Sequence, residues 1–141
     1  MSEADRADEL QKVTERVHSL SVLLASGYEA ELVPSKRLED GTIQMGWYNF
    51  APQIWDGIEA AKDLLGVDYE YPQHIDAVRA RGVPTASPSD LSRWFTWMSR
   101  GERFCDGFLA GNISDGELAA ITQRLEDLIA SGEVSSPPVA S

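Results

Sequence analysis

Asp68, Glu70, His74 and Asp76 lie close together in the chain and offer three carboxylates and an imidazole. Donors of this kind hold a divalent cation when a loop folds back and makes them converge. Their spacing fits no loop of defined coordination geometry, so the simpler reading is a solvated acidic loop, and no metal or cofactor is expected. Cys105, the only cysteine, would need a depressed pKa and a basic partner to act as a nucleophile. It falls in register with Leu91, Phe95, Met98 and Leu109, a pattern that predicts a core position. His18 sits on the polar flank of a predicted helix without a second ligand at helical spacing, as a surface histidine would. The phosphate cradles G-x-x-x-x-G-K-[ST] and G-x-G-x-x-G do not occur, nor do G-x-S-x-G and H-E-x-x-H. Two histidines leave general acid–base work to carboxylates alone. No catalytic residue is assigned, and a non-enzymatic role is expected.

Binding is better supplied than catalysis. The chain carries 23 acids against 12 bases, a formal net charge of −11. Its only lysines are Lys12, Lys36 and Lys62, too few and too scattered to neutralise a phosphate backbone, so direct nucleic-acid binding is disfavoured. An anionic surface suits a basic partner, including a protein that itself holds nucleic acid; the plainer role of such charge is solubility. The largest local excess of acids runs from Asp56 to Asp76 and includes Asp56, Glu59, Asp63, Asp68 and Glu70. Trp47 and Tyr48 are adjacent in a predicted strand and therefore point to opposite faces. An exposed Trp or Tyr is an effective anchor for a protein partner, although most aromatic residues must fill the core. Arg103 shares a narrow polar strip with Ser99, Arg100 and Asp106 on a helix that is otherwise apolar. An arginine there needs an acceptor, which predicts an internal tether, with anion binding as the functional alternative. Phe104 and Gly107 are assigned structural roles beside it.

The elements that must position these residues follow from periodicity. Ser2 and Asp5 predict a capping box opening a helix over residues 3–26, with Leu10, Val13, Val17, Leu20 and Leu24 as its apolar stripe and Gly27 beyond its end. Residues 29–50 change to a period of two, with Ile43, Met45 and Trp47 on one side of a half-buried strand and Asp40-Gly41 as a turn. Ala30 and Leu32 suggest the partner strand, and Pro34 limits it to an edge or an early end. A second helix is predicted from Pro52 to Leu65 and a short one over residues 73–81. Ser87-Pro88-Ser89-Asp90 opens a central helix expected to run to about Gly111, with Gly101 and Gly107 inside it marking the close approach of another backbone. The last helix is predicted from Ser114, with Glu117 completing a capping box.

These elements make an α+β protein, mostly helical, with about four main helices and a small antiparallel hairpin. A chain of 141 residues, 43% hydrophobic, suits one domain of roughly 100–200 residues, assigned to residues 1–132 with a disordered tail over 133–141. No secretory leader and no apolar run of the ~18–20 residues needed to span a membrane is read, so a cytoplasmic location and no membrane partner are expected.

The segment Arg100-Gly101-Glu102-Arg103-Phe104-Cys105-Asp106-Gly107 resembles the R-x-x-R-F-x-x-G core of a bacterial and phage domain-of-unknown-function family, number 6508. A second glycine and a leucine-rich helix follow, here Gly116, Leu118, Ile121, Arg124 and Leu125, and Gly46-Trp47-Tyr48 leading to Ile58 is also similar. The resemblance spans residues 10–130 and is most specific in the C-terminal half. It implies a small α+β domain of bacteria and mobile elements, and no reaction, ligand or partner.

Together these features predict a small acidic protein that binds and modulates another protein, in its sharper form a phage or mobile-element inhibitor of a basic nucleic-acid-binding partner. The alternative is an enzyme or ligand-binding domain with a pocket near the hairpin and central helix, using Arg103 and the Asp68–Asp76 loop. Self-association as a homodimer along the first helix is a third reading.

Overall fold

The computed structural model describes residues 2–134, the side chain of Phe104 excepted; the structural role assigned to that ring, and all of the tail predicted over 133–141 except residues 133 and 134, lie outside this range. Helix α1, Glu3–Ala25, opens on the predicted box: Asp5 N–H donates to Ser2 Oγ at 3.1 Å and Ser2 N–H to Asp5 Oδ2 at 3.2 Å. Val13, Val17, Leu20 and Leu24 are buried on one side of it, as the spacing requires.

Four short strands follow: β1 Glu31–Val33, β2 Lys36–Arg37, β3 Ile43–Gln44 and β4 Trp47–Asn49. β1 pairs antiparallel with β4 through Leu32 opposite Tyr48, and β2 with β3 through Lys36 opposite Gln44. Both ladders share one register, so this is a single long hairpin interrupted at Pro34 and Gly46. Proline has no N–H to give the ladder, and a Cβ at Gly46 would lie 2.6 Å from the Val33 carbonyl oxygen. The Leu38 N–H to Thr42 carbonyl bond of 2.8 Å closes the loop around Asp40-Gly41.

Helix α2, Pro52–Leu65, lies along α1 in the most extensive helix pairing of the fold. Ile54, Ile58, Ala61 and Leu64 are buried. Helix α3, Ile75–Arg81, leads to α4, Pro88–Phe104, whose Ser87–Asp90 capping box is formed as predicted. Leu91, Trp94, Phe95 and Met98 are buried, and α4 packs against α2, α3 and the two helices that follow it, which makes it central.

The expected run of α4 to Gly111 is not realised. Cys105 is extended, Gly107 is left-handed at φ +87°, and a separate helix α5, Phe108–Ser114, begins behind it. Glu102 secures the break by accepting the Leu109 N–H at 2.8 Å. The ring of Phe108 folds back onto Trp97, edge-on with centroids 4.8 Å apart. The neighbours of the two glycines are thus aromatic rings and not a backbone: a Cβ at Gly101 would lie 2.3 Å from Phe108, and one at Gly107 would lie 3.1 Å from Tyr48. Because the helix ends before it, Cys105 is exposed, which corrects its predicted core position. Helix α6, Glu117–Ala130, likewise starts later than predicted: Ser114 ends α5, left-handed Gly116 takes the N-cap position, and no capping box forms with Glu117. The described residues therefore hold six helices where about four were expected. Leu118, Ile121, Leu125 and Leu128 of α6 join the common core, and packing continues to Val134, which is buried.

Candidate functional site

The hairpin stands apart from that core. Among the described residues, no strand packs extensively on any helix. Its base is fixed at four points: Ala51 N–H donates to the Tyr28 hydroxyl at 2.8 Å, Ser114 Oγ donates to Glu29 Oε1 at 3.3 Å, Phe50 meets Trp55 edge-on at 6.0 Å, and Tyr48 lies against Gly107. Beyond the base, the apolar side chains face solvent. Ile43 is 60% exposed, Met45 75%, Leu32 57% and Trp47 42%. Alternation had marked Ile43, Met45 and Trp47 as a half-buried strand face, and the structure corrects this. A period of two establishes that one face is apolar, not that another element covers it. At the tip, Asp40 accepts from the Thr42 N–H and hydroxyl, bonds that hold its carboxyl below the usual carboxylate range.

Of the residues proposed for binding, Trp47 is exposed and Tyr48 half-buried, on opposite faces of β4 as predicted. Asp56, Glu59 and Asp63 are exposed on α2 at three- and four-residue steps, so they form one acidic stripe. Glu59 shares its charge with Lys62 Nζ at 3.2 Å. Asp68 is withdrawn from the acidic surface: its Oδ2 accepts from Arg93 Nε at 2.9 Å and its Oδ1 from the Glu70 N–H at 2.9 Å. These two bonds hold its carboxyl below the usual range. Glu70 is exposed, and no group of three metal-type ligands converges among the described residues.

Arg103 has no acceptor among the described residues and is exposed, so the internal tether predicted for it is not made. At this end of α4 the polar tie is instead made by Glu102 to the Leu109 N–H, while Arg93 ties the N-terminal half of the helix to Asp68. Gly107 does have a structural place, as the left-handed residue between α4 and α5. Arg103 lines a cavity of about 210 Å³ between α2, the 67–69 segment and α4. Neither the hairpin nor Asp68 contributes to it, contrary to the pocket envisaged from the sequence. Lys62, Tyr69 and Arg100 line it unforeseen: they come from three separate segments, and only the three-residue step from Arg100 to Arg103 is visible in the chain.

No helix among the described residues is long and apolar enough to cross a membrane. No curated protein and no solved structure matches the chain. Residues 5–131, which take in all of the packed elements but the first turn of α1, match the family of unknown function DUF6508, and the chain belongs to that family.

Proposed function

We propose that this protein is a non-enzymatic interaction protein that docks its hairpin arm onto a basic partner protein and modulates it. The observation that carries the reading is the exposed apolar face of Ile43, Met45 and Trp47, with Leu32 exposed on the opposite face, on an arm that no helix among the described residues covers extensively. Burying these side chains in an apolar cleft supplies affinity, and a Trp near the base is a favourable anchor. Charge selects the occupant. A net charge of −11 and the Asp56, Glu59, Asp63 stripe, which begins one turn beyond the hairpin, repel acidic proteins and attract basic ones. Proteins that bind nucleic acid carry such basic surfaces, so inhibition of one by a phage or mobile-element protein is the sharpest form of the reading.

The test is capture of partners from host lysate by the tagged protein, by Met45→Asp, and by Asp56→Lys/Asp63→Lys. The reading expects one stoichiometric partner that Met45→Asp loses, that the charge-reversed protein holds less well, and that added nucleic acid displaces. Equal capture by wild type and Met45→Asp, or a partner indifferent to charge reversal, overturns it, as does the absence of any partner.

A further inference from the structure

The cavity between α2 and α4 carries a second inference, independent of the hairpin. Its wall includes Trp55, Glu59 and Lys62 of α2, Tyr69 of the following segment, and Arg100 and Arg103 of α4. A protein with 12 basic residues and a net charge of −11 places three of them around one small hollow.

In α3, the first half of α4 and α6 the arginines are matched, whereas Arg6 and Arg16 of α1 are exposed and have no partner among the described residues. Arg79 meets Glu117, Arg81 meets Asp90, Arg93 meets Asp68, and Arg124 donates to the Ala86 carbonyl. Arg100 and Arg103 have no ion pair or hydrogen-bond acceptor among the described residues. Arg100 is instead held over the Tyr69 ring, 5.1 Å from its centroid, a contact that orients the guanidinium and leaves its N–H groups free to donate. The Lys62 side chain is only 17% exposed, and its single carboxylate partner, Glu59, is half exposed. A largely buried cation such as Lys62 favours a further anion.

We infer that this cavity binds a small phosphomonoester. Three cations against the one carboxylate of Glu59 leave an excess that matches the roughly two negative charges of a phosphomonoester near neutral pH. Two guanidinium groups three residues apart on one helix face present forked donors to phosphoryl oxygens. Trp55 and Tyr69 offer aromatic surface for the organic part of the ligand. At about 210 Å³, the space is smaller than the ~300–1,000 Å³ of pockets for drug-sized ligands, which restricts the occupant to a compact molecule.

The experiment titrates inorganic phosphate and phenyl phosphate into the full chain at constant ionic strength, followed by NMR of the arginine side chains and by thermal shift. The expected result is a saturable shift at Arg100 and Arg103 and a rise in Tm, stronger with phenyl phosphate than with phosphate. Arg100→Gln, Arg103→Gln and Lys62→Gln should each weaken binding about tenfold or more, the loss expected of a charge-assisted contact. Arg16→Gln, outside the cavity, should leave it unchanged. Arg103→Gln keeps the test decisive if Arg100→Gln disturbs the packing on Tyr69. A response that never saturates, or one that Arg16→Gln weakens as much as the cavity variants, overturns the assignment.

Discussion

Gly57→Ala sets helix propensity against packing, with opposite signs. Gly57 lies mid-helix in α2, where replacing glycine by alanine ordinarily gains ~1 kcal/mol. Its position faces Leu20 of α1, a fully buried residue. An added Cβ would stand 2.4 Å from Leu20 Cβ, 2.7 Å from Cδ2 and 3.0 Å from Cγ. Ordinary carbon contacts are about 3.5–4.0 Å, so the two helices would have to part by about 1 Å. The nearest atom is a Cβ, which no rotamer change can move. Separation along this seam also loosens Val13, Val17, Ile54 and Ile58, and overpacking of a well-filled core costs roughly 1–3 kcal/mol and sometimes more. Because the nearest atom cannot move aside, the cost lies near the upper end of that range at about 3 kcal/mol. Less the helix gain, the net expectation is a loss of about 2 kcal/mol, which for a chain of this length lowers Tm by about 7 °C. Urea denaturation and thermal melts followed by circular dichroism measure both quantities. Leu20→Ala keeps the Cβ, so the double variant should remain less stable than Leu20→Ala alone. A Gly57→Ala protein as stable as wild type, or more so, would refute the close crossing of α1 and α2.

Two further outcomes concern ionic ties. Because its bonds to Arg93 and to the Glu70 N–H lower the Asp68 pKa, they stabilise the fold above the unfolded value near 3.8 and lose that effect as pH falls through the lower folded value. Wild type should therefore exceed Asp68→Asn in stability at pH 7, with the gap closing below about pH 4; a gap of equal size at pH 3 and pH 7 refutes the account. Glu117 accepts from Arg79 Nη2 at 2.7 Å and from the indole N–H of buried Trp94 at 3.0 Å. Glu117→Ala strands that indole N–H and should cost about 1–3 kcal/mol in urea denaturation, with Glu117→Gln, which keeps an acceptor, costing less; a loss below about 0.5 kcal/mol shows that the N–H has another partner.

What the sequence revealed of the site depended on whether the partners were near in the chain. The local excess of acids at Asp56, Glu59 and Asp63 could be read because the three lie close in the chain, on the one helix whose face makes them a stripe. Asp68 could not, because its partner Arg93 lies 25 residues away on another element. The cavity was hidden for the same reason, since its cations come from two helices whose packing the linear order does not encode. The hairpin was the reverse case: its strands, turn and face alternation were all apparent, but exposure depends on what covers a face.

The same distinction explains the helix count. Asp-Gly occurs at 40–41, 56–57, 106–107 and 115–116. The first was read as a turn because period-two strands flank it. Between α4 and α5 an apolar repeat continues through Cys105, Phe108 and Leu109, and that repeat hid the turn at Asp106-Gly107. At Asp115-Gly116 a plausible Ser114 cap did the same. Local chemistry does not separate these from Asp56-Gly57, which sits inside α2 with no break at all. There the glycine answers to Leu20 across the helix crossing, a demand made by tertiary packing alone. Three of the four pairs turn the chain and one lets two helices touch, so the dipeptide marks a place where a side chain is unwelcome without saying whether φ or a neighbour forbids it. Alanine at Gly107 and Gly57 would fail for those two different reasons.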